Sequence, residues 1–339
     1  MRSSAPIVIG HRGAPGYRPE HSRSAYELAI AQGADAIEPD VVATRDGELV
    51  VRHENEISGT TDIAGRPEFA HLRTTKEFAG HVLEGWFTED FTWDELRTLR
   101  CRERIPKLRP ASAAHDGEDR ILTLREVLDI ARDGGVGVVI EIKHAPYFSA
   151  IGIDLPALVA EEIRASGWQK PGAPGRLVIE SFEQSALDAV RVHGIRAEYV
   201  YLVERAGTAL DLALAEGDAA PTYRAQLKDL DSLAAQIDGI SVHKSLLLRE
   251  TAPPRFALEA RERGLELFTW TFRAENAFLA RRYRLGSARA AHGDWRAEWR
   301  ALRAAGVTGV FADQPDLARR ALSSPSSSQG FETRPTNPD

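Results

Sequence analysis

Several polar residues lie within or directly after apolar runs of this sequence, where side chains are usually buried. The set comprises His11, Arg12, Glu38, Asp40, His53, Glu141 and Lys143. A buried charge costs free energy unless it is paired or bound to a ligand. The positions of these residues therefore indicate a chemical site rather than a solvated surface.

The carboxylates of this set point to a hard divalent cation. Glu38 and Asp40 are two residues apart, so on a strand their side chains share one face. Glu141 adds a third carboxylate from the apolar run VGVVIEIK. A solvated Glu-x-Asp pair, or a simple ion pair between Glu141 and Lys143, is the plain structural alternative. Three carboxylates without a cysteine favour Mg²⁺ or Ca²⁺ over zinc.

The basic residues of the set suit phosphoryl transfer. His11 and His53 could act as an acid and a base on opposite sides of one reacting centre. Arg12 and Lys143 supply positive charge for phosphate oxygens, and an arginine does so as a bidentate fork. A glycosidase instead needs two carboxylates that flank a neutral bond. The remaining histidines are weak signals individually.

Two aromatic residues are candidates for contact with the substrate. Phe148 follows the strand that carries Glu141. It is expected to line the side of the pocket that binds the alcohol part of a phosphoester substrate. Trp270, in the run LFTWTF, either closes the mouth of the pocket or fills the core.

Short apolar runs alternate with helical patterns along the chain, and these elements must position the polar residues. The predicted strands are Ile7–His11, Ala36–Val42, Leu49–His53, Val136–Ile142, Leu177–Phe182, Glu198–Val203, Gly239–Val242, Leu265–Thr271 and Gly309–Ala312. Helices are predicted between most of them, for example at Ser24–Gln32 and Leu124–Asp133. This alternation predicts a parallel α/β fold, either a (β/α)₈ barrel or a doubly wound sheet. In barrels of this kind the active site lies at the carboxyl ends of the strands.

Nine strands are one more than a closed eight-stranded barrel uses. Ala36–Val42 and Leu49–His53 are too close in sequence for a parallel crossover, and Asp46-Gly47 favours a two-residue hairpin turn. In that register Asp40 faces His53.

The chain is expected to form one catalytic domain over residues 1–322. Residues 54–119 break the alternation, contain no clear strand, and are interpreted as an insertion carried on a barrel loop after the third strand. The tail at 323–339 has the composition of a disordered end.

Composition excludes several classes of protein. Lys and Arg total 43 against 50 Asp and Glu, so the net charge of −7 provides no general attraction for nucleic acid or anionic lipid. The single cysteine, Cys101, excludes an internal disulfide framework. The apolar runs are too short for a signal peptide or a transmembrane helix. We therefore expect a cytoplasmic protein without a stable membrane anchor or a nucleic-acid partner.

The order of these motifs resembles a known family. IGHRGAPGYRPEHS, followed by AQGADAIEPDVVATRDGELVVRHENEISGTTD, is similar to the glycerophosphodiester phosphodiesterase signature of His-Arg, Glu-x-Asp and His, joined here by Glu-Ile-Lys. Pro19-Glu20-His21 and the segment KHAPYF at 143–148 resemble the longer bacterial subgroup in particular. The C-terminal GVTGVFADQPDLA resembles the last strand and Asp-x-Pro loop of the family.

This resemblance implies a distorted (β/α)₈ TIM barrel of the phospholipase C-like phosphodiesterase type. The implied reaction is hydrolysis of glycerophosphodiesters to sn-glycerol 3-phosphate and an alcohol, with one divalent cation, Ca²⁺ or Mg²⁺. By motif position the implied roles are metal ligands (Glu38, Asp40 and Glu141), acid and base (His11 and His53), phosphate binding (Arg12 and Lys143), and proximity to the glycerol or the metal (Glu20). Glu54 stands where the family usually has Asp.

Two other functions remain open from the sequence. The chain could be a phospholipase D-like or C-like hydrolase acting on lysolipids or phospholipids, or a barrel that binds phosphorylated ligands without turnover. The lipid reading requires an exposed aromatic rim, for which only Trp86, Phe87, Phe91 and Trp93 in the insertion are candidates. The sequence does not define the oligomeric state.

Overall fold

The computed structural model describes residues 5–78, 81–249 and 252–323, and it contains a closed parallel barrel. The strands are β1 (Ile7–His11), β2 (Ala36–Glu38), β3 (Asp40–Ala43), β4 (Leu49–Val51), β5 (Thr74–Phe78), β6 (His81–Gly85), β7 (Gly137–Ile142), β8 (Leu177–Ser181), β9 (Glu198–Val203), β10 (Gly239–His243), β11 (Glu266–Phe272) and β12 (Gly309–Ala312). Eight of them follow the order β2-β1-β12-β11-β10-β9-β8-β7, and β7 pairs back to β2. The predicted (β/α)₈ barrel is confirmed. The tail predicted at 323–339 lies outside the described residues, apart from its first residue, which ends the last helix.

Helices follow most of the barrel strands. They are α1 (Arg23–Ala31), α2 (Trp93–Leu96), α3 (Pro110–Ala113), α4 (Leu124–Asp133), α5 (Ala145–Ala150), α6 (Leu155–Ala165), α7 (Gln184–Val192), α8 (Leu210–Glu216), α9 (Tyr223–Gln226), α10 (Leu230–Ala234), α11 (Arg255–Glu262), α12 (Trp295–Ala304) and α13 (Pro315–Ser323). None of the helices in the described ranges is both long and apolar enough to cross a membrane.

Local sequence signals set the ends of the long helices. Ser22 caps α1 by accepting a hydrogen bond from the backbone N–H of Ala25, and Gly33 just beyond the helix adopts a φ of 85°. Thr123 and Glu126 form a reciprocal capping box at the start of α4. These signals explain why the predicted helix bounds match the observed ones to within a residue.

The predicted strand Ala36–Val42 is divided at Pro39 into β2 and β3. The first part belongs to the barrel, whereas β3 pairs with β7 on one side and antiparallel with β4 on the other. The predicted hairpin exists, but its register was wrong by one residue. Val41 pairs with Val51, so Asp40 lies opposite Arg52 rather than His53. The cause is a three-residue turn in which Gly47 adopts a φ of 83°.

The inserted segment contains a hairpin that the sequence reading missed. Strands β5 and β6 pair antiparallel from Thr74 opposite Gly85 to Phe78 opposite His81, which contradicts the expectation of no strand over 54–119. Because the run TTKEF contains two threonines and two adjacent charges, its apolar signal is weak.

The core has two layers, and the inner one underlies the site. Most buried apolar residues lie in one large cluster that joins the helices to the sheet. A second cluster takes one residue from each of seven barrel strands: Ile9, Ala36, Val139, Val178, Val200, Phe268 and Phe311. Side chains two positions further along a strand share the same face. His11, Glu141 and Glu180 therefore lie directly above this apolar floor.

Candidate active site

A cavity of about 470 Å³ opens at the carboxyl ends of the barrel strands. Residues from almost every barrel strand line it, and they include His11, Arg12, Glu38, His53, Glu141 and Lys143. Six of the seven polar residues first singled out in the sequence therefore lie on one cavity wall. The seventh, Asp40, is fully buried just behind it.

Carboxylates form a row across three neighbouring strands. Asp40 on β3 pairs in register with Glu141 on β7, which pairs with Glu180 on β8. Oxygen atoms of Glu38, Glu141 and Glu180 all lie within 4.8 Å of one another, and the three residues are buried. Burial and the charges of Glu141 and Asp40 raise the pKa of Glu180 well above its ordinary value.

The cluster of Glu38, Glu141 and Glu180 can hold a divalent cation. Glu180 Oε2 is buried and has no hydrogen-bond partner among the described residues. A converging set of carboxylate oxygens with such an unsatisfied atom has the ligand chemistry that Ca²⁺ and Mg²⁺ require. The donor set therefore fits a hard cation.

Asp40 is the anionic partner of several basic groups. One of its oxygens, Oδ2, lies 3.2 Å from Arg12 Nε and 2.9 Å from His21 Nε2, while Oδ1 lies 3.3 Å from Lys143 Nζ. Burial alone would raise the pKa of Asp40, but Lys143 and Arg12 hold it well below its usual value. Lys143 also lies 2.6 Å from Glu141, so the ion pair considered from the sequence forms within the larger cluster.

Arg12 is held by carboxylates at three points. Its backbone N–H donates to Glu38 Oε2 at 2.6 Å, and its guanidinium reaches Glu20 at 3.2 Å in addition to Asp40. Its φ of 55° lies in the left-handed region, which costs free energy for a residue with a side chain. These contacts compensate for that backbone and fix the guanidinium at the cavity wall.

His11 is oriented by Asp313, which follows β12. Its Nδ1 lies 2.6 Å from Asp313 Oδ1, and both residues are buried. Burial, together with the charge of Arg12, lowers the pKa of His11 to about 4. The imidazole is therefore neutral at pH 7 in the free protein, with its hydrogen on the Nδ1 that faces the carboxylate.

His53 has a matching carboxylate partner in Glu54. Its Nδ1 contacts Glu54 Oε1, and Arg104 from the insertion binds the same carboxylate. Burial, with the charges of Arg12 and Lys143, lowers the pKa of His53 to about 3. Nδ1 of each of the two histidines is thus in contact with a carboxylate.

Two aromatic candidates lie in different places. Trp270 lines the cavity, and its ring makes an edge contact with Phe182 at a centroid distance of 5.8 Å. Phe148 is fully buried in the large core cluster and is not on the cavity wall.

The four aromatic residues that the sequence offered for an exposed rim do not form one. Trp86, Phe87 and Phe91 are all buried, and Trp93 is partly buried against the core. This burial removes the feature that the sequence offered for a lipid-binding edge.

Sequence reasoning assigned no role to several residues that meet at the site. They are His21, Glu180, Arg104, Arg109 and Asp313. Glu180 carried a usable signal, because it ends the apolar run LVIES as Glu141 ends VVIE. The two arginines carried none, since nothing local in their sequence indicates which distant carboxylates they contact.

Known proteins are similar in sequence to most of this chain. The family model described as the glycerophosphoryl diester phosphodiesterase family matches residues 11–317. A glycerophosphodiester phosphodiesterase of Arabidopsis thaliana, GDPD6, is 28% identical over 313 residues, which cover 82% of this chain and 77% of that protein.

Solved structures share the fold. A putative glycerophosphoryl diester phosphodiesterase from Silicibacter pomeroyi is similar with a TM-score of 0.66 and 23% identity, over 95% of this chain and 94% of that one. A phosphodiesterase from Oleispira antarctica, in complex with the product sn-glycerol-3-phosphate, gives a TM-score of 0.61 and 20% identity, over 94% and 98% of the two chains. The match of the family model over residues 11–317 shows that this chain belongs to the glycerophosphoryl diester phosphodiesterase family.

Proposed function

We propose that this chain hydrolyses small glycerophosphodiesters to sn-glycerol 3-phosphate and an alcohol, using His11 and His53 as acid and base beside a divalent cation. The observation that carries this proposal is the pairing of each histidine with a carboxylate at one cavity. The same cavity presents two basic groups and a cluster of buried carboxylates.

Arg12 and Lys143 are proposed to bind the phosphate of the diester. Both side chains are buried at the cavity wall and are held by Asp40 at 3.2 and 3.3 Å. Because their positions are fixed before substrate arrives, little conformational entropy is lost on binding. A guanidinium and an ammonium together also favour the charge that develops on the phosphoryl oxygens.

The proton transfers follow from the state of the histidines. One imidazole takes a proton through Nε2 from the nucleophile, whose oxygen forms a new bond to phosphorus. The bond between phosphorus and the leaving oxygen breaks, and the other histidine donates its proton to that oxygen. The histidine that donates a proton must first be in the imidazolium form, although its pKa is low in the free protein. The negative charge of the bound diester favours that form. The nucleophile is either water or the adjacent glycerol hydroxyl. In the second case the step forms a cyclic phosphate, which water must then open to give sn-glycerol 3-phosphate.

Glu38, Asp40 and Glu141 are proposed to hold the cation, with Glu180 as a fourth carboxylate beside them. Either Ca²⁺ or Mg²⁺ suits an all-oxygen donor set. When bound, such an ion supplies Lewis-acid polarisation of the phosphoryl group.

The test measures release of sn-glycerol 3-phosphate from glycerophosphodiesters with choline, ethanolamine, glycerol and inositol head groups, with and without chelator. We expect release that chelator abolishes and that Ca²⁺ or Mg²⁺ restores. His11→Ala and His53→Ala should each lower kcat by about 10²–10⁴-fold. Near-normal turnover in both variants would refute the proposed roles of the histidines.

Intact lysolipid serves as the comparison substrate. Because Trp86, Phe87 and Phe91 of the insertion are buried, we expect the small diesters to be hydrolysed in preference to lysolipid. Faster hydrolysis of lysolipid would support the phospholipase-like alternative. Binding of diesters without turnover under any cation would support a non-catalytic barrel.

A further inference from the structure

Two arginines of the inserted segment each bind one of the carboxylates that contact His53 and His11. Arg104 reaches Glu54, with Nη1 2.9 Å from Oε1 and Nη2 2.5 Å from Oε2. The same guanidinium donates to Glu20 through Nε at 2.9 Å and Nη2 at 2.6 Å. Glu54 in turn contacts Nδ1 of His53.

Arg109 repeats this arrangement at the other histidine. Its Nη2 donates to Asp313 Oδ2 at 2.6 Å, and the other oxygen of that carboxylate lies 2.6 Å from His11 Nδ1. Its Nε donates to Glu275 at 2.7 Å, and its Nη1 to the carbonyl of Pro15 at 3.1 Å. All these side chains are buried.

The backbone between the two arginines is itself fixed. Glu103 accepts a hydrogen bond from the N–H of Ile105 at 2.8 Å, and the N–H of Arg109 returns to the carbonyl of Ile105 at 3.0 Å. The bridge between Cys101 and Thr61 anchors the start of the segment. The short turn therefore presents both guanidinium groups in set directions.

We propose that Arg104 and Arg109 are positioning residues, which hold Glu54 and Asp313 so that His53 and His11 keep their hydrogens on Nδ1. A carboxylate can only accept there, so Nε2 of each ring is the nitrogen left for the reacting proton. At the base it accepts that proton, and at the acid it gives up the proton gained when the imidazolium forms. Neither arginine lines the cavity, so each acts through the carboxylate that it binds. Outer partners that orient a metal-bound histidine typically change metal affinity or activity by about 10–100-fold, and we expect the same range for the partners of these two histidines.

This inference rests on the proposed roles of His11 and His53, and the first measurement is chosen to be independent of activity. Selective ¹⁵N labelling of histidine reports by NMR which ring nitrogen carries the hydrogen. In Arg104→Gln we expect His53 to lose its Nδ1–H signature while His11 keeps it. Arg104 suits this change because its side chain is 31% exposed, so its loss should not unfold the chain.

The variant at Arg109 needs a compensating change, because removing a buried cation alone leaves two buried carboxylates. Arg109→Gln combined with Glu275→Gln removes one charge of each sign. Asp313 keeps Arg273, whose Nε lies 2.7 Å away, so the fold retains that contact. Here we expect the signature of His11 to weaken while that of His53 is unchanged.

Kinetics provide the second readout. Arg104→Gln should lower kcat by about 10–100-fold with KM within twofold, because no substrate contact is lost. The fall should be smaller in the Arg109 double variant because Arg273 remains. Free guanidinium should restore part of the kcat of Arg104→Ala. Arg102→Gln, an exposed arginine of the same segment, is the matched control and should keep normal kcat.

Three outcomes would overturn the inference. They are an unchanged His53 signature in Arg104→Gln, equal loss of both signatures in either variant, or a kcat of Arg104→Gln equal to that of Arg102→Gln. If the wild type hydrolyses none of the diesters, the proposed function fails, and the NMR result alone then decides the roles of the arginines.

Discussion

We expect Glu180 to lower the stability of the protein when no cation is present, and to strengthen the binding of a cation by the protein. Its carboxylate lies within 4.8 Å of those of Glu38 and Glu141, and one of its oxygens has no hydrogen-bond partner among the described residues. Its pKa is raised in the fold, so the folded chain holds a proton that the unfolded chain releases above its ordinary pKa. Stability therefore falls as pH rises toward the folded pKa. Glu180→Gln removes this loss of stability. In the absence of cation at pH 7.5, the Tm of the variant should therefore be higher than that of the wild type.

The size of the cation effect can be worked out. A ligand present at about 100 times its Kd stabilises the folded state by about 2.7 kcal/mol. An unfolding entropy of about 2.1 cal/mol/K per residue gives roughly 0.7 kcal/mol/K for 339 residues. The Tm of the wild type should therefore rise by about 4 °C with cation. A Kd weakened about tenfold by Glu180→Gln removes about 1.4 kcal/mol, and the rise should shrink to about 2 °C.

Differential scanning fluorimetry with chelator, Ca²⁺ or Mg²⁺ measures these shifts. Glu183→Gln is the matched control, because Glu183 lines the same cavity but lies outside the carboxylate cluster. It should keep the full cation-dependent rise. An equal rise in wild type and Glu180→Gln would refute the placement of Glu180 at the cation site. If the cation-dependent rise in Tm shrank equally in Glu180→Gln and Glu183→Gln, the rise would depend on the total charge of the cavity instead.

Four further substitutions test the site. Asp40→Asn takes the carboxylate from two buried cations, so Tm in chelator should fall by about 4–7 °C, from about 3–5 kcal/mol; an unchanged Tm would contradict its pairing with Arg12 and Lys143. The pKa of His11 is lowered to about 4, so the unfolded chain takes up a proton first as pH falls below about 6.5. Urea unfolding of the wild type should lose about 2 kcal/mol more than His11→Asn between pH 7 and 5, and equal losses would refute the lowered pKa. Phe148→Ala should cost about 3–5 kcal/mol of stability and leave KM within twofold, whereas Trp270→Ala should raise KM; the reverse pattern would return Phe148 to the substrate site.

The sequence was sufficient to predict the barrel and most of its cavity wall. Polar residues at the ends of apolar runs are costly to bury, and this rule identifies His11, Glu141 and Lys143 from the sequence alone. The same rule applied to LVIES would have found Glu180. The hairpin register failed for a local reason, since Gly47 serves a three-residue turn as readily as a two-residue one.

The contacts of the insertion could not be predicted in this way. Arg109 meets Asp313 across 204 positions of sequence and Glu275 across 166. No periodicity or motif connects residues so far apart, and many arginines of the insertion are simply exposed, as Arg102 is. Only the three-dimensional fold separates the arginines that orient a histidine from those that face solvent.

The carboxylates show why spacing alone predicts membership of a site but not the part each residue plays. Asp40 and Glu180 both lie in the row that Glu141 occupies, and both are buried. Asp40 lies beside the cations Arg12 and Lys143, so it remains ionised without any ligand. Glu180 has burial and the like charges of Glu141 and Asp40 around it, so its pKa is raised well above its ordinary value. Two acids of the same type in one row therefore differ because of the fixed charges that the fold places beside each of them.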